Sequence, residues 1–212
     1  MQLEIRPQPS SFWSYASPIL ALLLTVAIGI GLFMALGKDP VKGLQVFFWE
    51  PVKSPYAIGE LLVKATPLLI IALGLAVCFR SNVWNIGAEG QFVMGALAAG
   101  GVALLADKTT GPWIVPVILA AGVLGGMVWA GITAFLRDRF NANEILVSLM
   151  LVYVADMILN YMVFGPWKDP AGYNFPQTKT FEIVTQIPRL MQGSRVTIGI
   201  LLGLLGVVAL WL

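Results

Sequence analysis

The sequence predicts an all-α fold: a polytopic bundle of transmembrane helices, about six spans, with a broken or re-entrant segment around residues 80–91. Three observations carry this expectation. Hydrophobic residues make up 58% of the 212 residues and charged residues only 11%, against roughly 25% charged in an ordinary soluble domain. Apolar runs close to the ~20 residues that cross a bilayer core recur along the chain. Between two of them, ALGLAVCF and FVMGALAAGG, stands RSNVWNIGAEGQ, whose Arg80, Asn82, Asn85, Glu89 and Gln91 are more polar groups than a hairpin requires. Such groups are costly at membrane depth unless protein or a water-filled cavity satisfies them.

Composition also excludes several functions. A net charge of +2, dispersed along the chain, gives no basis for a nucleic-acid partner. With no histidine and Cys78 as the single cysteine, no disulfide and no metal site of the Cys/His kind is expected. No catalytic triad, phosphate-binding loop or dinucleotide fingerprint is present, so the sequence predicts neither catalytic residues nor a cofactor.

Residues 1–18 are expected to form an N-terminal tail, because Pro7, Pro9 and Pro18 disfavour continuous helix. The first span is expected over 19–36, a retained anchor longer than a signal core. Residues 37–57 carry an amphipathic middle, VKGLQVFFWEPV, suited to the membrane surface. The second span is expected over 58–79, with Pro67 inside it. Asn85, Glu89 and Gln91 are candidates for lining a polar pathway; the alternative is a simple turn in which Asn85 caps the next helix.

The third span, 92–106, is short and rich in small residues, and the fourth covers 113–136. In the fourth, Gly122 and Gly126 stand at the four-residue spacing that lets helices touch closely in lipid. Asn141 precedes Glu144 by three residues ahead of an apolar run, a capping-box pattern that competes with a role in transport. The fifth span, 145–164, holds Asp156 and Asn160 on one face. Asp156 is either a functional carboxylate or a structural partner for a neighbouring helix. Residues 165–195 form the one long polar connection, suited to docking a partner. The sixth span, 196–212, has Gly199 and Gly203 in GxxxG spacing and runs to Leu212 without a polar flank, so the chain is expected to stop inside or at the end of that span.

At NVWNIGAEGQF, RFNANEILVSLML and GPWKDPAGYNFPQT the sequence resembles the membrane permease of binding-protein-dependent ABC importers for nucleosides and simple sugars, the ribose-permease-like family. The likeness runs over essentially the whole chain. It implies a permease subunit that forms the translocation pathway in the bacterial plasma (inner) membrane. Its implied partners are a second permease subunit, paralogous or identical, a cytoplasmic ABC ATPase that supplies the drive, and an extracytoplasmic substrate-binding protein. It further implies a cytoplasmic N-terminus and an outer location for 165–195, an orientation that charge counting leaves open. The family's coupling loop, a Gly-Asn-x-x-Ala-Ala type of segment after the sixth span, has no counterpart here, which implies that a C-terminal part is lacking. Alternative readings are a permease for another small polar solute, such as ribose or a branched-chain amino acid, and a non-transporting membrane scaffold fragment.

Overall fold

The computed structural model describes residues 10–173, 175–190 and 193–211. These form seven α-helices: α1 (Ser11–Ala35), α2 (Pro40–Leu44), α3 (Pro55–Arg80), α4 (Ala88–Leu104), α5 (Ile114–Phe140), α6 (Glu144–Phe164) and α7 (Gly199–Trp211). Among the described residues, β pairing is limited to two isolated antiparallel bridges, Lys168 with Thr178 and Arg189 with Thr197. The all-α expectation therefore holds. Four helices, α1, α3, α5 and α6, are long and apolar enough to cross a membrane, whereas α4 has 17 residues and α7 has 13.

Of the expected tail, residues 1–9 lie outside the described residues, Ser10 is the extended N-cap and residues 11–18 are helical. Helix α1 starts at Ser11 and passes through Pro18. The proline removes a single bond, to the Ser14 carbonyl, from a helix of 25 residues, which is too little to set the helix start.

The chain divides into two compact units, Met1–Leu61 and Leu62–Leu212. In the first, α1 closes with Gly37 at φ 66°, where the Lys38 N–H reaches the Phe33 carbonyl at 2.9 Å and the Gly37 N–H reaches that of Met34 at 3.0 Å. This is a Schellman end, and it needs the left-handed conformation that glycine adopts without strain. Asp39 then caps α2, its Oδ1 accepting from the N–H groups of Val41 and Lys42. The Phe33 ring lies against Gly43, 2.7 Å from where a Cβ would sit. The amphipathic middle is helical too, in a π turn over Gln45–Trp49 and a 3-10 turn over Glu50–Val52.

In the second unit α4 is the hub. Along its contact with α5, a Cβ on Gly95 would lie 2.9 Å from the Gly122 carbonyl oxygen, and one on Gly126 would lie 3.3 Å from that of Gln91. Gly125 is tighter still, 2.5 Å from the Ala98 Cβ. Against α6, a Cβ on Gly90 would stand 3.0 Å from the Val152 Cα. Glycines at these points let backbones meet, which is how helices gain van der Waals contact where lipid leaves no hydrophobic drive for association. Helix α7 lies on α3 through Gly203, which faces Leu69 and Ile70. At the other end of α4, the Trp167 ring from the 165–198 connection lies 3.3 Å from where a Cβ on Gly101 would sit. In the turn before α5, the hydroxyls of Thr109 and Thr110 hold the Asp107 carboxyl below its ordinary pKa.

The capping reading at the α5–α6 corner is corrected. Asn143, not Asn141, is the N-cap of α6, accepting from the N–H groups of Ile145 and Leu146 at 3.0 and 3.3 Å. Asn141 ends α5 in the left-handed conformation at φ 52°. Glu144, instead of reaching back to a cap, pairs with Arg137 at 3.3 Å. Asn143→Ala should therefore destabilise the protein by about 1 kcal/mol, while Asn141→Gly should be neutral or mildly stabilising because glycine tolerates φ > 0. Thermal unfolding of the two variants in detergent checks this, and the reverse ranking would return the cap to Asn141.

Candidate functional site

Helix α3 stops at Arg80 and helix resumes at Ala88, so the break expected around 80–91 is a connection over 81–87. Asn82 makes the stop. At φ 54° it takes the left-handed position of a second Schellman end, with the Val83 N–H on the Cys78 carbonyl at 2.9 Å and its own N–H on that of Phe79 at 3.1 Å. The Trp84 ring packs on Phe79 with centroids 5.6 Å apart, which folds the connection back over the helix end.

From there the chain is pinned to α6. The Ile86 N–H donates to Ser148 Oγ at 3.3 Å, and Ser148, 1% exposed, donates in turn to the Ile145 carbonyl at 3.2 Å. Gly87, the N-cap of α4, sits so close to Ser148 that a Cβ would come within 2.7 Å of its Cβ. This fixed start sets the rotation of α4 and directs Gln91 toward Asn85. Asn85 and Gln91 then form a reciprocal pair of amide hydrogen bonds, both 3.2 Å, and Asn85 Oδ1 also accepts the Gly87 N–H at 3.0 Å.

The amide pair stands between two clefts. The larger, about 540 Å³, opens among the end of α3, the connection, and the α5–α6 corner, with Asn85, Gln91, Thr133, Arg137, Asp138, Asn141 and Glu144 in its walls. The smaller, about 320 Å³, runs between α3, α4 and α5 past Gly74, Phe92, Gly122 and Gly126. Cys78, Asn85, Gln91 and Ala130 line both. Of the cleft's charges, Arg137 and Glu144 satisfy each other.

The other candidates lie elsewhere. Glu89 is exposed in the first turn of α4 and lines neither cleft; its charge there suits the positive end of the helix dipole. Asp156 is half-buried on α6, and Asn160 donates to the Asp156 main-chain carbonyl at 2.8 Å, a bond within its own helix. Sequence reasoning missed Ser148 and Asn143, which position the connection and α6. A lone serine inside ILVSLMLVYV was the available signal for the first. It also missed Trp129, whose indole N–H is buried against Gly90 with no hydrogen-bond partner among the described residues.

Long apolar helices that meet through glycines around a polar cleft define a multi-pass membrane protein. The chain belongs to the family described as the permease component of the branched-chain amino acid transport system, which matches residues 57–212. It is 35% identical over 190 residues to the glucose ABC transporter permease protein TsgB13 of Haloferax volcanii, a match covering 90% of this chain and 50% of that protein. It is 28% identical over 203 residues to the guanosine ABC transporter permease protein NupP of Bacillus subtilis, covering 92% and 56%. With the nucleoside ABC transporter permease protein NupB of Lactococcus lactis it shares 26% identity over 146 residues, covering 69% and 40%. The chain spans about half the length of these curated relatives. No solved structure matches it.

Proposed function

We propose that this chain forms part of the translocation pathway of an ABC importer for a nucleoside or simple sugar, with the Asn85–Gln91 pair bordering the path. The observation that carries the proposal is that pair, set between two clefts in a chain of the permease family. Neutral amides offer both donors and acceptors, which suits hydroxyls and base edges. An amino-acid carboxylate fits less well, because Arg137, the cation lining the cleft, is already paired with Glu144. The named substrates of the relatives, glucose, guanosine and nucleosides, are of the neutral polar kind.

In this reading α4 and α7 complete six crossings. At 1.5 Å per residue α4 spans roughly 25 Å, short of a ~30 Å core, and glycine-lined contacts with α5 and α6 shelter it. The N-terminus is cytoplasmic, the large cleft opens to the cytoplasm, and 165–195 faces outward to meet an extracytoplasmic binding protein. A second permease subunit completes the pathway and a separate cytoplasmic ATPase hydrolyses ATP. The location is the plasma membrane of a bacterial or archaeal cell.

Uptake of radiolabelled guanosine and glucose by the complete transporter tests this. Asn85→Ala with Gln91→Ala should lower uptake about tenfold, the size of two lost hydrogen bonds at roughly 0.5–1.5 kcal/mol each, at unchanged expression. Glu89→Gln, remote from both clefts, should leave uptake near normal. Full transport by the double variant would remove the pair from the pathway.

A further inference from the structure

We infer that the first unit of the chain holds a binding site for an anionic phospholipid, with an acyl chain between α1 and the 38–51 segment and the phosphate on Lys38 and Lys42. The groove there measures about 970 Å³, within the range that buries a sizeable ligand. Its walls are apolar, chiefly Val26, Phe33, Leu44, Val46 and Phe47. Both lysines line the same groove, four residues apart at the turn out of α1, where a long apolar helix gives way to polar chain.

The charges at this mouth are unbalanced. Asp39, which lines the groove between the lysines, accepts from the backbone N–H groups of Val41 and Lys42 through Oδ1 and supplies one negative charge against their two positive ones. Glu50, the next carboxylate along the chain, is paired with Lys53 at 3.0 Å. Neither Lys38 nor Lys42 has an ion pair among the described residues. Two ammonium groups against one carboxylate leave a net positive charge at the rim of an apolar groove, which favours a phosphate carried on acyl chains over a zwitterionic headgroup. Near an anionic surface each lysine contributes about a fivefold gain in affinity. Phe47 and Phe48, exposed residues of the groove's lining, and the exposed Trp49 next to them in sequence suit the same depth, the boundary between headgroups and acyl chains.

The groove also permits a steric test. A Cβ on Gly29, which lines it, would meet nothing within 4 Å, so a side chain can start there without a clash and Gly29→Leu adds bulk at the groove. The experiment is native mass spectrometry of the protein in detergent with added dioleoyl phosphatidylglycerol or dioleoyl phosphatidylcholine. Wild type should retain phosphatidylglycerol at least about fivefold better than phosphatidylcholine. Lys38→Ala with Lys42→Ala should abolish that preference, Lys53→Ala should keep it, and Gly29→Leu should reduce retention of both lipids. Glycerol 3-phosphate, which has the phosphate without the acyl chains, should not displace the lipid. Equal retention of the two lipids by wild type would overturn the assignment, as would an undiminished preference in the lysine double variant or displacement by glycerol 3-phosphate.

Discussion

Gly125→Leu is expected to separate α4 from α5 and to cost on the order of 3 kcal/mol, at the upper end of overpacking penalties. A Cβ at this position would lie 2.5 Å from the Ala98 Cβ and 3.0 Å from the Met94 carbonyl oxygen. Neither atom can rotate away, since one is fixed to the backbone and the other belongs to it. The helices must move apart, and every contact along the Gly95, Gly122 and Gly126 line is then lost together. Gly131, about 1.7 turns further along α5, has nothing within 4 Å of its Cβ position. Gly131→Ala should therefore be neutral or slightly stabilising, because alanine is the better helix former. Thermal unfolding in detergent compares the two directly. Similar melting temperatures for Gly125→Leu and wild type would show that α4 and α5 are not held by this contact.

Much of this packing is legible in the sequence because small-residue spacing is a one-dimensional trace of helix geometry. Gly122 and Gly126 stand out for that reason, while Gly125, the tightest of the three, does not fall on their stripe. Helix existence is equally legible from long apolar runs, but the start of α1 is not, since one proline in a long helix is a tolerable loss. At the α5–α6 corner the string NANE contains two asparagines, and both satisfy a capping pattern. Only the backbone tells them apart, one left-handed and one extended. The polar run at 80–91 shows which residue types matter but not which way they point. Glu89 and Gln91 are two residues apart, about 200° around a helix, so a helix starting at Ala88 cannot turn both toward Asn85. Which of them faces the cleft is fixed by the contact of Gly87 with Ser148, 61 residues distant in the chain and invisible to any local pattern.

That contact gives the second large expected effect. Ser148 does two things at once: its hydroxyl accepts the Ile86 N–H, and its small size admits Gly87. Ser148→Ala removes only the first. The Ile86 N–H loses its acceptor, and the cost should be about 1 kcal/mol. Ser148→Leu removes both, because the added carbons occupy the space of the Gly87 backbone; the connection must lift from α6, at a cost of roughly 3 kcal/mol. With Gly87 displaced, α4 loses its fixed start and Asn85 and Gln91 lose their alignment. Cys78 reports this independently of stability, since it is the only cysteine and lines both clefts beside the pair. Maleimide labelling of Cys78 should change little in Ser148→Ala and rise several-fold in Ser148→Leu, at a temperature where both remain folded. A Ser148→Leu protein with wild-type melting and wild-type labelling would show that the connection is held in place by other contacts, and that the rotation of α4 does not depend on Ser148.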